Sequence, residues 1–135
     1  MQTSEIVERV QQRGELDSSQ QAHDAVIAVL EALALRDLGE QRDNFAAQLP
    51  KELSEVLAVG DPEIKEQFDA SDMVRRVAKR LDVTLDSGQR RTHAAFSVLM
   101  DAVADGQVDK VLEALSDDYA SYATWDGSMY LSDDL

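Results

Sequence analysis

Cysteine is absent from the 135 residues, which excludes disulfides, thiolate metal sites and cysteine nucleophiles. Proline occurs only twice and glycine six times, so few residues interrupt a helix. No apolar run exceeds the six residues AVIAVL at 25–30, far short of the roughly 20 that cross a bilayer. Cations are scarce: 13 Lys and Arg stand against 27 Asp and Glu, a net charge of −14. That field repels phosphate backbones and anionic membranes, so it argues against nucleic acid and against a membrane surface. It also keeps a chain soluble, and it matches two narrower uses, a halophilic setting or an acidic surface that mimics nucleic acid. The first ten residues carry Glu5 and Glu8 where a signal peptide needs a basic start and an apolar core, which predicts a cytoplasmic location.

What the chain does contain is apolar residues at helical spacing. Ile6, Val7 and Val10 form one stripe, beginning after Thr3 or Ser4 as the cap. Ala22, Val26, Val29, Leu30 and Leu33 form a second, behind caps at Asp17, Ser18 and Ser19. Phe45, Ala46 and Leu49 mark a third helix, and Pro50 starts a short fourth through Leu53, Val56 and Leu57. AVGDPEIK at 58–65 reads as a break and one or two turns, with Asp61 as cap and Pro62 at the first position. Met73, Val74, Val77 and Leu81 then make a fifth helix; Thr92, Phe96, Leu99 and Val103 make a sixth, closed by Gly106. Val108, Val111, Leu112 and Leu115 make a seventh, and Tyr119 and Tyr122 an eighth. No run alternates with a period of two, so the expected class is all-α.

The heptapeptide SEIVERV at 4–10 is nearly repeated as SDMVRRV at 71–77, a shift of 67. AHDAVIAVL pairs with THAAFSVLM at a shift of 70, and FAAQLPKEL with VLEALSDDY at 66. The expectation is one domain over 1–135, holding a first repeat at 3–58, a connector at 59–68, a second repeat at 69–123 and a tail at 124–135. A unit of about 55 residues is marginal alone, so the two are expected to share one core about an approximate two-fold axis.

AAQLPKEL at 46–53, following AVIAVLEALALRDL, carries a resemblance to the domain-of-unknown-function family numbered 2267, over roughly residues 3–120. Its most specific element is Gln48, Leu49 and Pro50, and the second repeat departs from it with Ser116 after Leu115. The resemblance implies a small, bacterial or archaeal, internally repeated helical domain, and no agreed activity.

Chemistry is harder to find. His23 and His93 are the only histidines, and the shift of 70 brings them into register, as a metal or proton-relay pair would require. Only Asp24 lies beside either, pointing about 100° away around its helix, so packing explains them equally well. No nucleophile elbow, phosphate loop, zincin helix or cofactor motif occurs, and no catalytic residue, cofactor or metal ligand is assigned.

Charge is more informative. Between 71 and 100 six cations face three carboxylates, whereas between 101 and 135 only Lys110 offsets nine. Arg75, Arg76, Lys79 and Arg80 fall on one arc of the fifth helix, at roughly 200–340° when the apolar arc is 0–140°. This basic ridge is a candidate contact surface; its bland counterpart is a solvated face paired with the acidic C-terminal third. Arg9 and Arg13 recur as Arg76 and Arg80, and these four are candidates for structural ion pairs where the repeats meet. Trp125 and Tyr130, among the acids of the tail, are either a recognition segment or a flap over the bundle. The functional expectation is a non-enzymatic module that binds a protein partner, with self-association as a further expectation. An enzyme or metal site at His23 and His93, and a nucleic-acid binder or mimic, are the alternatives.

Overall fold

The computed structural model describes residues 1–36, 38–58, 68–126 and 130. Among them the secondary structure is helical: α1 (Thr3–Gly14), α2 (Ser19–Leu35), α3 (Gln41–Ala47), α4 (Lys51–Ala58), α5 (Ala70–Leu81), α6 (Leu85–Asp101) and α7 (Asp105–Ala114). A 3-10 turn (Asp117–Tyr119) runs into the four-residue α8 (Ala120–Ala123). The expected break and turns at 58–65, with Asp61 and Pro62, lie outside the described residues beyond Ala58.

The ends of these helices follow from local chemistry. The Ser18 hydroxyl accepts the Gln21 N–H at 3.2 Å to open α2, and the Thr84 hydroxyl accepts the Ser87 N–H at 3.2 Å to open α6. Asp69 and Asp72 exchange reciprocal bonds at the start of α5, of 2.9 and 3.4 Å. At α1 the cap is Gln2 rather than Thr3 or Ser4, with its N–H 3.5 Å from Glu5. Both α1 and α5 stop on a left-handed residue, Glu15 at φ 50° and Asp82 at φ 56°. In each case the next residue's N–H (Leu16 or Val83) reaches back to a carbonyl five residues earlier, at 3.0 Å. Gly106 does not close the sixth helix. That helix ends at Ala102 in an ordinary helical conformation, and Gly106 sits in the first turn of α7.

The two halves can be laid over each other by their caps. Thr3 corresponds to Ala70 and Gly14 to Leu81, a shift of 67. Ser19 corresponds to Leu85 and Leu35 to Asp101, a shift of 66, which continues through the buried pairs Phe45/Val111, Leu49/Leu115, Leu53/Tyr119 and Leu57/Ala123. Most, though not all, of the helix contacts follow the same exchange. α1 packs on α2 and α6 as α5 packs on α6 and α2; α4 lies on α2 as α8 lies on α6; α2 meets α6 and α3 meets α7. Their buried faces form one continuous apolar cluster, from Ile6 to Ala123.

Counted from the starts of α2 and α6, the histidines do not fall at matching places. His23 corresponds to Gln89, and His93 to Ile27. Shifts of 66 and 70 differ by four residues, about one helical turn, so both preserve the apolar stripe and only the caps decide between them.

Thr92 is buried, and its hydroxyl finds no hydrogen-bond partner among the described residues. Valine, at position 26, holds the corresponding place in α2. Thr92→Val keeps the shape and removes the unmatched hydroxyl, so urea unfolding is expected to show a gain of about 1 kcal/mol. A loss of stability would mean that the hydroxyl has a partner.

Candidate functional site

Arg75, Arg76, Lys79 and Arg80 all face solvent on one side of α5. Arg75 bonds Asp72 of its own helix at 2.6 Å, and Arg80 reaches Glu31 of α2 at 3.3 Å. The Arg76 guanidinium lies 4.3 Å above the centre of the Phe68 ring. Arg75 and Arg80 are therefore paired with their own helix and with α2, rather than with the acidic C-terminal third.

On α1, Arg13 donates to Ser97 at 2.8 Å and to Asp101 at 2.6 Å, both on α6. Under the exchange of halves Arg13 becomes Arg80 and Ser97 becomes Glu31. The same pair of positions thus bridges the halves in both directions, α1 to α6 and α5 to α2. Arginine suits both places, because its planar head can meet a polar group on the neighbouring helix while staying in reach of water. Arg9, unlike Arg13 and Arg80, makes no ion pair among the described residues.

Two grooves occupy corresponding places. Ser4, Val7 and Glu8 of α1 face Ser19, Gln20 and His23 of α2 across an open groove of about 820 Å³. Ser71, Val74 and Arg75 of α5 face Leu85, Asp86 and Gln89 of α6 across a smaller one of about 230 Å³, with Tyr122 at one side. His23 Nε2 lies 3.2 Å from Glu52 at the edge of the first groove. Position by position, Glu8 gives way to Arg75, and Ser19 to a leucine that is 59% exposed. Sequence reasoning missed Leu85, although an apolar residue just after the Thr84 cap was its visible signal.

His93 is buried, 2% exposed, and both ring nitrogens are bonded. The Thr124 carbonyl, 2.6 Å from Nε2, can only accept, so Nε2 carries the hydrogen. Nδ1 is then the acceptor for the Tyr130 hydroxyl at 2.9 Å. Aromatic rings close around the imidazole: Trp125 at 4.7 Å, Tyr122 edge-on at 5.4 Å and Tyr130 at 5.7 Å between centroids. Trp125 and Tyr130 stack on each other at 5.5 Å, and the Arg90 guanidinium covers Tyr130 at 5.0 Å. Burial pushes the Tyr130 phenol up to about 12, which keeps it a donor. Of the two expectations for the tail, these contacts match the flap over the bundle. Trp125 and Tyr130 are half-buried against the bundle, because their faces gain more against the imidazole than in water. His23 and His93 share no partner, and no group of three or more metal-ligating side chains occurs among the described residues.

Burial lowers the pKa of His93 below its ordinary 6.5, assisted by the Arg13 charge; the Thr124 bond and Asp126 act the other way. A depressed histidine keeps the fold's full stability above the unfolded value of 6.5. Below it the unfolded chain takes up the proton first, so stability falls with pH, at most about 1.4 kcal/mol per unit. Denaturant midpoints at pH 7.5 and 5.5 are expected to show this loss, and His93→Ile, which installs the residue of position 27, is expected to flatten it. An equal slope in both proteins would assign the effect to other groups.

The tail helix is tied in by a second buried set. Arg36, 2% exposed, lies between the rings of Phe68 and Tyr119, at 5.3 and 5.6 Å. The Tyr119 hydroxyl donates towards the carbonyls of Phe68 and Asp69, at 3.0 and 3.1 Å, fixing the entry to α5.

The family model described as "Uncharacterized conserved protein (DUF2267)" matches residues 3–122. No curated protein matches the chain. No helix among the described residues is long and apolar enough to cross a membrane.

Proposed function

This chain belongs to the DUF2267 family, which passes on no chemistry, and we propose that it is a non-enzymatic interaction module that binds a protein partner through the outer face of α5. In this reading residues 3–58 and 69–123 are copies of one helical unit about a pseudo-two-fold axis, joined by 59–68 into a single cytoplasmic domain with 124–135 as its tail. The exchange of helix contacts and caps supports the duplication.

One observation carries the binding role. Four cations stand exposed along α5, on a chain of net charge −14, where α1 offers only two at the matching places. Arg75, Arg76, Lys79 and Arg80 correspond to Glu8, Arg9, Gln12 and Arg13. Packing makes the same demands on both helices, so the difference at the solvent-facing places 8/75 and 12/79 is not required by the fold. At those two places Arg75 holds only an exposed pair with Asp72 of its own helix, and Lys79 faces solvent, so both can turn to a partner.

A photo-cross-linking residue placed at position 76, in cells of the native host, tests this against the same residue at position 8. Discrete protein adducts from position 76, absent at position 8, are expected. Equal adducts from both positions, or none from either, overturn the reading.

A further inference from the structure

The groove between α5 and α6 differs from its counterpart between α1 and α2 at its lip and along both walls. Its lip carries Leu85, the most exposed large apolar side chain of the described residues, in place of Ser19. Its wall carries Arg75 in place of Glu8, and the next turn of the same helix face carries Lys79 in place of Gln12. Val74 forms the floor, as Val7 does in the other groove, and the Tyr122 ring adds an apolar side. The second groove has thus gained one greasy contact, a cation on its α5 wall with a second one turn further on, and one carboxylate, Asp86 in place of Gln20, on its α6 wall.

We propose that the α5/α6 groove is the docking site for a protein segment that presents one aliphatic side chain between carboxylates. This deepens the interaction role proposed above and rests on it. The groove's 230 Å³ suits a single side chain rather than a helix or a cofactor. That side chain lies on Val74, Leu85 and Tyr122, and its desolvation supplies affinity. Arg75 and Lys79 meet the flanking carboxylates. The present Arg75–Asp72 bond is an exposed i, i+3 pair, weak in water, so Arg75 can exchange Asp72 for a partner's carboxylate. Asp86 also lines the groove, in the first turn of α6. It sits opposite the cationic wall, where it can accept a backbone N–H of the segment and would repel a third carboxylate; this sets the segment's direction. A nucleic acid makes no use of Leu85, and the whole-chain charge opposes it.

The test is a titration of the isotopically labelled full chain with three probes, followed by amide resonances. One is a synthetic peptide with leucine flanked by aspartates; the second replaces the aspartates by lysines; the third is a single-stranded oligonucleotide. The acidic peptide is expected to shift the amides of Ser71, Arg75, Leu85 and Gln89 saturably, and the other two to leave them unmoved. Leu85→Ser is expected to weaken that binding at least tenfold, and Arg75→Glu with Lys79→Glu to abolish it, with circular dichroism unchanged. No response to the acidic peptide, equal responses to the oligonucleotide, or binding indifferent to Leu85→Ser each overturns the groove. If the groove fails while position 76 still cross-links to a partner, the interaction role stands and only this chemistry falls.

Discussion

Gly88→Ala is expected to destabilise the protein by about 2 kcal/mol, the reverse of what this exchange does in most helix interiors. Alanine normally gains about 1 kcal/mol over glycine there, because it loses less backbone freedom on folding. At Gly88 of α6 a Cβ would stand 2.6 Å from the Cβ of Ala78 and 3.1 Å from its Cα. The obstacle is the backbone of α5 rather than the end of a flexible side chain, so one helix has to move away from the other. Overpacking of this kind costs about 1–3 kcal/mol, and sometimes more. A midpoint roughly 8 °C lower is expected for a chain of this size. Gly106→Ala is the control: nothing lies within 4 Å of the added carbon in α7, so that variant is expected to be slightly more stable. Removing the opposing methyl with Ala78→Gly is expected to recover part of the loss, giving a favourable coupling in a double-mutant cycle. If Gly88→Ala stabilised the protein, the close crossing of α5 and α6 would be wrong.

Phe96→Ala is expected to cost more, about 3–5 kcal/mol. Phe96 is fully buried at the middle of α6, with its ring 6.0 Å from that of Tyr119. The substitution leaves a void bounded by helices that are themselves pinned, so little of the space can close. A domain of this size commonly has about 5–15 kcal/mol in total, so the variant is expected at the edge of folding. Leucine stands at the corresponding position 30 of α2 and is equally buried. Phe96→Leu is therefore expected to lose only about 1 kcal/mol. Urea unfolding of the two variants checks both figures, and a loss below 1 kcal/mol for the alanine variant would mean that Phe96 is not a centre of the core.

Much of the helical order was legible because amphipathic spacing and capping residues speak to neighbours in the chain. The serine cap at 18 was read in this way, whereas Asp69 and Thr84, signals of the same kind, went unread because the apolar stripes begin further on. The register of α2 on α6 was not legible, since apolar stripes match at either of two shifts one turn apart. The arc of cations on α5 could be drawn from spacing alone, but the partners of Arg75 and Arg80 could not. Those depend on which acid, Asp72 or Glu31, is carried alongside by the packing. The tail was the least legible part. Nothing local links Trp125 and Tyr130 to His93, which is more than thirty positions away, and only the folded bundle brings an imidazole under them.

The exchange of helix contacts has one more consequence. α1 lies on α6 and α5 lies on α2, so neither half can close its apolar face without the other. A fragment ending near residue 58 is therefore expected to leave that face wet and to adhere to its complement when the two are mixed.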